Sequence, residues 1–366
     1  MPFPNGSAKR IEIPFGGIGL AWAPDGREIL VSDRAAFGRT TGLWRAPVES
    51  GQPSRIAGLD DVGSSFGSSF AVFAPSHRLA YTRSLLDENI WSLTGATKTQ
   101  LIAGTGRDFN GQFSPDESKI AFVSDRTGTL EIYASDAQGG HPIQLTSFKN
   151  AATDSVHWSP DGRELIFAVL QNQNRDLYAV SPEGGPVRRL TNEPSDEARP
   201  SYSMDEKWIY FRSNRSGKDE IWKMPRGGGA AIQLTQGGGF EAMETLDGKT
   251  LYFARVRNGS GLWSMPSGGG AAQAVPGLES AGFGRWAITQ DGVCYLDIPA
   301  PGSAGQSITR IVCWSSSTGK LSQMGLVDKP IRISIPAFSV SRDGRRFLWH
   351  QTDLQDADLM LVENFH

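Results

Sequence analysis

The chain has 366 residues, with 36 Lys and Arg against 39 Asp and Glu for a formal charge of −3, and it is 39% hydrophobic and 20% charged. That balance fits a folded globular chain, and without a basic run it argues against a phosphate-reading nucleic-acid surface. No apolar stretch approaches the roughly 18 residues a membrane span needs, and two cysteines, Cys294 and Cys313, are too few for a disulfide scaffold or a four-thiolate zinc site.

From the N-terminus, Met1-Pro2-Phe3-Pro4-Asn5-Gly6 lacks a basic region followed by an apolar core, so no secretory signal is read there. A mature or fragmentary envelope protein would look the same, so the compartment stays open, the periplasm included. Ala8-Lys9-Arg10-Ile11-Glu12-Ile13 reads as a lone strand. After it a turn of the form Ser/Ala/Thr-x-Asp-Gly recurs. It starts at Ala23, Ser114, Ser159, Ser203, Thr245, Thr289 and Ser341, with a degenerate copy at Ala74-Pro75-Ser76-His77. Pro presets φ, Asp bonds its own backbone and Gly accepts positive φ, so each copy is a tight turn by chemistry. An apolar run follows most turns, as in Glu28-Ile29-Leu30-Val31, Lys119-Ile120-Ala121-Phe122-Val123 and Trp208-Ile209-Tyr210-Phe211. These runs read as buried strands.

Next come a polar loop and a third strand carrying an aromatic at one register: Trp44, Trp91, Tyr133, Tyr178, Trp222 and Trp263. A Gly-rich turn then leads to a short fourth strand such as Pro142-Ile143-Gln144-Leu145-Thr146. A four-stranded unit repeated at this period is a propeller blade. The reading is all-β: an eight-bladed β-propeller over residues 1–366 as one domain, with four-stranded antiparallel blades. The N-terminal strand, residues 8–13, would close the ring by completing the last blade, about 335–365. Seven blades remain if the copy at Ala74 is an insertion. The third-strand aromatics and the pre-turn residues Trp22, Phe73, Phe113, Trp158 and Tyr202 are read as packing between blades.

The Ser-Pro-Asp-Gly turn, the run Ile120 to Arg126, Glu131-Ile132-Tyr133 and Gln144-Leu145-Thr146 resemble the TolB-like, WD-repeat-like propeller family along essentially the whole chain. The ending Asp358-Leu359-Met360-Leu361-Val362-Glu363-Asn364-Phe365 is similar to propellers at the C-terminus of bacterial winged-helix regulators. The resemblance implies protein partners at the propeller faces, and a stand-alone relative or a fragment of a larger regulator. Related propellers include lyases of acidic sugars and the gating domain of prolyl oligopeptidases, and fold alone does not choose among them.

Few residues suggest chemistry. Gly63-Ser64-Ser65-Phe66-Gly67 matches a nucleophile elbow in letters but has no helical pattern after it. The histidines His77, His141, His157, His350 and His366 lack metal-ligand spacing, and no metal or cofactor is expected. Cys294 and Cys313 fall nearly opposite each other on a hairpin. They are read as reduced, packed thiols, with a cross-strand disulfide as the alternative, which a Cα separation above about 7 Å would exclude.

Candidate binding residues are positional. Four residues before successive turns lie Asn110, Ser155, Arg199, Glu241 and Arg285, with Asp108 and Asp154 just upstream. At one channel mouth Asp108, Asn110, Asp154, Arg199, Glu241 and Arg285 would hold a protein partner or a small charged ligand, or pair with one another. The leading expectation is a monomeric, non-catalytic binding or scaffold module of a bacterial regulatory or envelope system. The alternative is a polysaccharide lyase or other hydrolytic enzyme at the mouth, with Arg199 or Arg285 neutralising charge.

Overall fold

The recurring turn folds as its chemistry dictates. In the computed structural model the Ser or Thr hydroxyl that opens it donates to the Asp two residues on: Ser114 to Asp116 at 2.6 Å, Ser203 to Asp205 at 2.7 Å, Thr245 to Asp247 at 2.6 Å and Ser341 to Asp343 at 2.6 Å. The same Asp oxygen accepts the backbone N–H two residues later, as from Ser118 and Arg163. These bonds hold the carboxyls of Asp116 and Asp161 down at about 2. The structure describes residues 17–33, 42–49, 51–59, 70–73, 77–104, 106–148, 151–257, 259–299, 308–331 and 337–365.

The strands on either side of these turns pair as antiparallel hairpins, and the chain is all-β with repeated four-stranded antiparallel sheets. It divides into two units, 87–353 and the remainder, 1–86 with 354–366. In the larger unit five sheets run in simple order. Their first strands are Asp108–Phe113, Ala151–Trp158, Glu197–Tyr202, Glu241–Glu244 and Trp286–Ile288. A further sheet begins with Phe338–Val340, which pairs with the first part of the long strand Arg346–Val362. That strand runs beside Arg78–Thr94, whose second part pairs Thr97–Ile102. Each first strand packs on the first strand of the next sheet, and Phe338–Val340 packs on Asp108–Phe113.

In the smaller unit Gly17–Trp22, Glu28–Asp33, Leu43–Pro47 and Ser54–Arg55 form one sheet, and Phe70–Phe73 pairs the start of Arg78–Thr94. Its core gathers Leu30, Leu43, Leu79, Tyr81 and Phe365. The described residues therefore form seven sheets where eight turn anchors predict eight. The strand after the degenerate turn, Arg78–Thr94, is 17 residues long and shares a sheet with Arg346–Val362 instead of founding its own. The expected closing strand, residues 8–13, and the segments 63–67 and 74–76 lie outside the described residues.

Of the third-strand aromatics, Trp91, Tyr133, Trp222 and Trp263 pack between neighbouring sheets, as expected of side chains that bury the most area. Trp222 lies against a core drawn from two sheets, with Ile166, Leu177, Ile209 and Phe211. The polar loop before each contributes too. Arg126 folds back over Phe122 and Tyr133, at 5.1 and 5.0 Å, and Arg215 over Phe211 and Trp222, at 5.5 and 5.1 Å.

Cys294 and Cys313 stand directly opposite on adjacent strands with Cα atoms 4.0 Å apart, and they are bonded as a disulfide. The expectation of two reduced thiols is corrected: the pairing keeps the Cα atoms below the roughly 7 Å limit beyond which no bond could form. The bridge closes a loop of 19 residues' separation. Removing it by Cys294→Ala with Cys313→Ala should cost about 3 kcal/mol in urea unfolding. The intact mass of native protein should lack two hydrogens, and two titratable thiols in the native state would contradict the pairing.

Candidate functional site

Three successive first strands bulge at the same place. The ladder shifts between Phe109 and Gln112, between Asp154 and His157, and between Ala198 and Ser201. Each bulge centres on a non-glycine residue in the left-handed region, Asn110 at φ 52°, Ser155 at 59° and Arg199 at 57°. Such a conformation costs energy and persists only where neighbours hold it. Here the neighbours are adjacent sheets. Asn110 Oδ1 accepts the Val156 N–H at 2.8 Å, and Arg199 Nη1 donates to Ser155 Oγ. Ser201 Oγ donates to the Ala242 carbonyl at 2.7 Å, and Glu241 Oε2 accepts the Gly284 N–H at 2.8 Å. Sheet is thus stitched to sheet at one level.

Charges concentrate around this belt. Arg199, 8% exposed, lies over the Phe283 ring at 4.6 Å. Burial pulls its guanidinium down to about 10, against the pull of Asp154 and Glu241. Burial pushes the Asp154 carboxyl up, but Arg199 and Arg175 outweigh it and hold the group below the usual carboxylate range. Asp154 also accepts from Ser155 Oγ at 2.6 Å and from Arg175 at 3.4 Å. Glu241 is raised by burial. Burial and then Arg199 pull the His157 imidazole down to about 4, so it is neutral near pH 7. Arg175 and Arg212 both reach Asp196, and Arg212 also bonds Asp219 at 2.6 Å.

Of the residues proposed from sequence, Asp154, Arg199 and Glu241 come together and Asn110 shares their belt. Asp108 is committed within its own sheet, its Oδ1 accepting from Arg126 at 2.7 Å. Arg285 is half-buried. Burial lowers its guanidinium and Asp297 is the carboxylate that opposes the shift. Arg175 and Arg212 are members that sequence reasoning missed, because both sit inside strands where the pattern marks only packing.

A hollow lies at the other end of the same strands, past the bulges. A cavity of about 180 Å³ is lined by the last residues of six first strands, among them Phe113, His157, Trp158, Tyr202, Met243 and Val340. Trp158 Nε1 donates to the Gln112 carbonyl at 3.0 Å, which fixes the ring. Glu244 is occupied on both oxygens, by the Tyr210 hydroxyl at 2.7 Å and the Met204 N–H at 2.5 Å. Glu117 takes Arg346 at 3.4 Å. The second residues of four turns, Pro115, Pro160, Met204 and Arg342, form the rim. Phe113, Trp158 and Tyr202 were expected only to pack between sheets. Their pre-turn position was visible in sequence, but that position faces both a neighbouring sheet and the cavity.

A family model described as the TolB beta propeller domain matches residues 146–274. Uncharacterized protein Atu1656 of Agrobacterium fabrum is 34% identical over 124 residues, which is 33% of this chain and 41% of that protein. Uncharacterized peptidase YuxL of Bacillus subtilis is 25% identical over 216 residues, 46% of this chain and 33% of that one. The Tol-Pal system protein TolB of Wolinella succinogenes is 27% identical over 125 residues, 32% and 29% of the two chains. The matches thus span less than half of each relative. Among solved structures, TolB from Acinetobacter baumannii aligns over 90% of this chain and 79% of its own at 18% identity with a TM-score of 0.50, a likeness of fold. With the repeated turn and four-stranded sheets of this structure, these matches make residues 146–274 similar to the TolB beta propeller domain and give the chain a likeness of fold to TolB-like propellers.

Proposed function

We propose that residues 87–353 are a six-bladed propeller acting as a non-catalytic binding module, and that its axial cavity at the turn face receives a side chain of a protein partner. The cavity carries the reading. It is lined by six first strands, with Trp158, Tyr202 and Met243 in its wall, while side chains of the charged belt at the other end bond sheet to sheet. Aromatic and methionine side chains in its wall suit one apolar anchor, the way a few residues dominate protein interfaces. Six sheets whose first strands pack in succession, with Phe338–Val340 against Asp108–Phe113, support the blade count. The disulfide suits an oxidising compartment, in keeping with an envelope role.

The rim offers a clean test. The position of Met204 holds Pro115, Pro160, Leu246, Gln290 and Arg342 in the other turns, so the fold accepts polar side chains there. Peptides selected from a random library on the immobilised full chain should lose roughly 30-fold or more in affinity for Met204→Asp, which replaces an apolar rim side chain by a carboxylate. Thermal stability should be unchanged. Selected peptides indifferent to Met204→Asp would contradict the reading.

A second reading follows from the match to peptidase YuxL: this chain as the propeller part of a longer hydrolase. A complete reading frame encoding a hydrolase domain in continuity with this chain would favour it.

A further inference from the structure

Beside the axial cavity a second hollow of about 400 Å³ opens on the turn face. Trp158, Pro160 and Arg342 border both spaces, whereas Asp161 and Lys119 belong to this groove alone and Met243 to the cavity alone. Its volume lies in the range of small-ligand sites, but its wall is polar where such sites are mostly apolar.

Two of its groups are held in place yet underused. Asp161 Oδ1 is locked by the Ser159 hydroxyl at 2.5 Å and the Arg163 N–H at 3.0 Å, which orients the other oxygen. That oxygen, Oδ2, is approached by Nη1 and Nη2 of Arg226, each at a long 3.5 Å, and by no other donor among the contacts of the described residues. The carboxyl is ionised at any physiological pH, so it is an acceptor only. Arg342 is exposed, and the one hydrogen bond of its side chain among the described residues is a 3.5 Å contact to the Pro160 carbonyl, which leaves most of the guanidinium donors unspent. Trp158 and Pro160 lie in the same wall and supply an apolar platform.

We propose that this groove binds a neutral oligosaccharide, with one sugar hydroxyl donating to Asp161 Oδ2, an adjacent hydroxyl accepting from Arg342, and the C–H face of the ring on Trp158 and Pro160. A hydroxyl pair is donor and acceptor at once, which is what an oriented carboxylate and a free guanidinium require together. An anionic sugar fits less well, because Asp116, Asp161 and Glu183 bring three carboxylates to the groove against Lys119 and Arg342, and Glu183 already takes Lys119. An apolar peptide anchor belongs in the neighbouring cavity.

The proposal is independent of the protein-partner reading, and the two are separable by variant. Calorimetric titration of the full chain with maltotetraose, cellotetraose and chitotetraose should find millimolar or tighter binding for at least one. Arg342→Ala, at an exposed position that the fold does not need, should weaken it about tenfold, the loss of one charge-assisted hydrogen bond. Asp161→Asn should do the same, while Met243→Ala should leave it unchanged. Tetragalacturonate should bind more weakly than the preferred neutral sugar. Failure of all three neutral sugars to bind, binding indifferent to both groove variants, binding lost in Met243→Ala alone, or preference for tetragalacturonate would each overturn the proposal.

Discussion

Asp353→Ala should destabilise the 87–353 unit by about 3 kcal/mol, the cost of leaving the buried Asn89 and Gln351 and the half-buried Trp91 without their shared acceptor. Its Oδ2 accepts from Asn89 at 3.0 Å, Trp91 Nε1 at 2.8 Å and Gln100 at 3.2 Å, and its Oδ1 from Lys329 at 2.8 Å and Gln351 at 2.9 Å. One carboxylate thus ties the end of the unit to strands near its beginning. Burial pushes the Asp353 carboxyl up, but Lys329, Gln351, Trp91 and Asn89 outweigh it and hold the group below the ordinary value of 3.8. A depressed folded-state value stabilises above the unfolded one and is lost as pH falls through the folded one. Urea unfolding should therefore show the full penalty at neutral pH and a smaller one below about pH 4. An equal penalty at both would mean that the charge is not what the donors hold.

Arg199→Met should cost about 3–5 kcal/mol, because it leaves Asp154 and Glu241 buried beside an apolar side chain. The methionine can still cover Phe283, so the loss reports charge and the bond to Ser155 more than packing. The pH dependence again has a definite sign. Arg199 holds Asp154 down and restrains the upward shift of Glu241, so without it both carboxyls favour protonation in the folded state. The variant should recover relative to wild type as pH falls through the carboxylate range. A penalty that grows on acidification would show that Arg199 is compensated by some other group.

Much of the fold was legible because it rests on local chemistry. The turn anchors Ser114, Ser159, Ser203, Thr245 and Ser341 act through side chains two residues apart, and the strands after them are marked by their own apolar runs. The aromatics of the third strands were legible for the same reason. What escaped depends on contacts distant in sequence. Nothing local to Ile90 or Leu93 says that they pack with Leu348 and Phe347. Periodicity therefore assigned them to a separate blade, and the turn count ran one beyond the sheets observed. The cysteine pairing was read correctly as opposite positions, yet their bonding depends on how close the two strands run there.

The site divided along the same line. The nearness of Arg199 and Glu241 could be read from position, since they occupy equivalent places in successive first strands, with Asp154 beside the equivalent Ser155. That Arg199 adopts a left-handed backbone, where most residues are strained, has no mark in the sequence. The cavity was missed because a residue before a turn is apolar whether it packs on a sheet or lines a hollow. Only the assembled strands tell the two apart.

The account stands on residues 87–353 forming one ring of six blades, and a crystal structure of the full chain tests this most directly. It should show Phe338–Val340 seated against Asp108–Phe113, Asp353 accepting from Trp91, and the cavity open at the turn face between Pro115, Pro160, Met204 and Arg342. A ring in which the sheet of Gly17–Trp22 to Ser54–Arg55 stands between Phe338–Val340 and Asp108–Phe113 would contradict it, and with it the cavity and the function proposed for it.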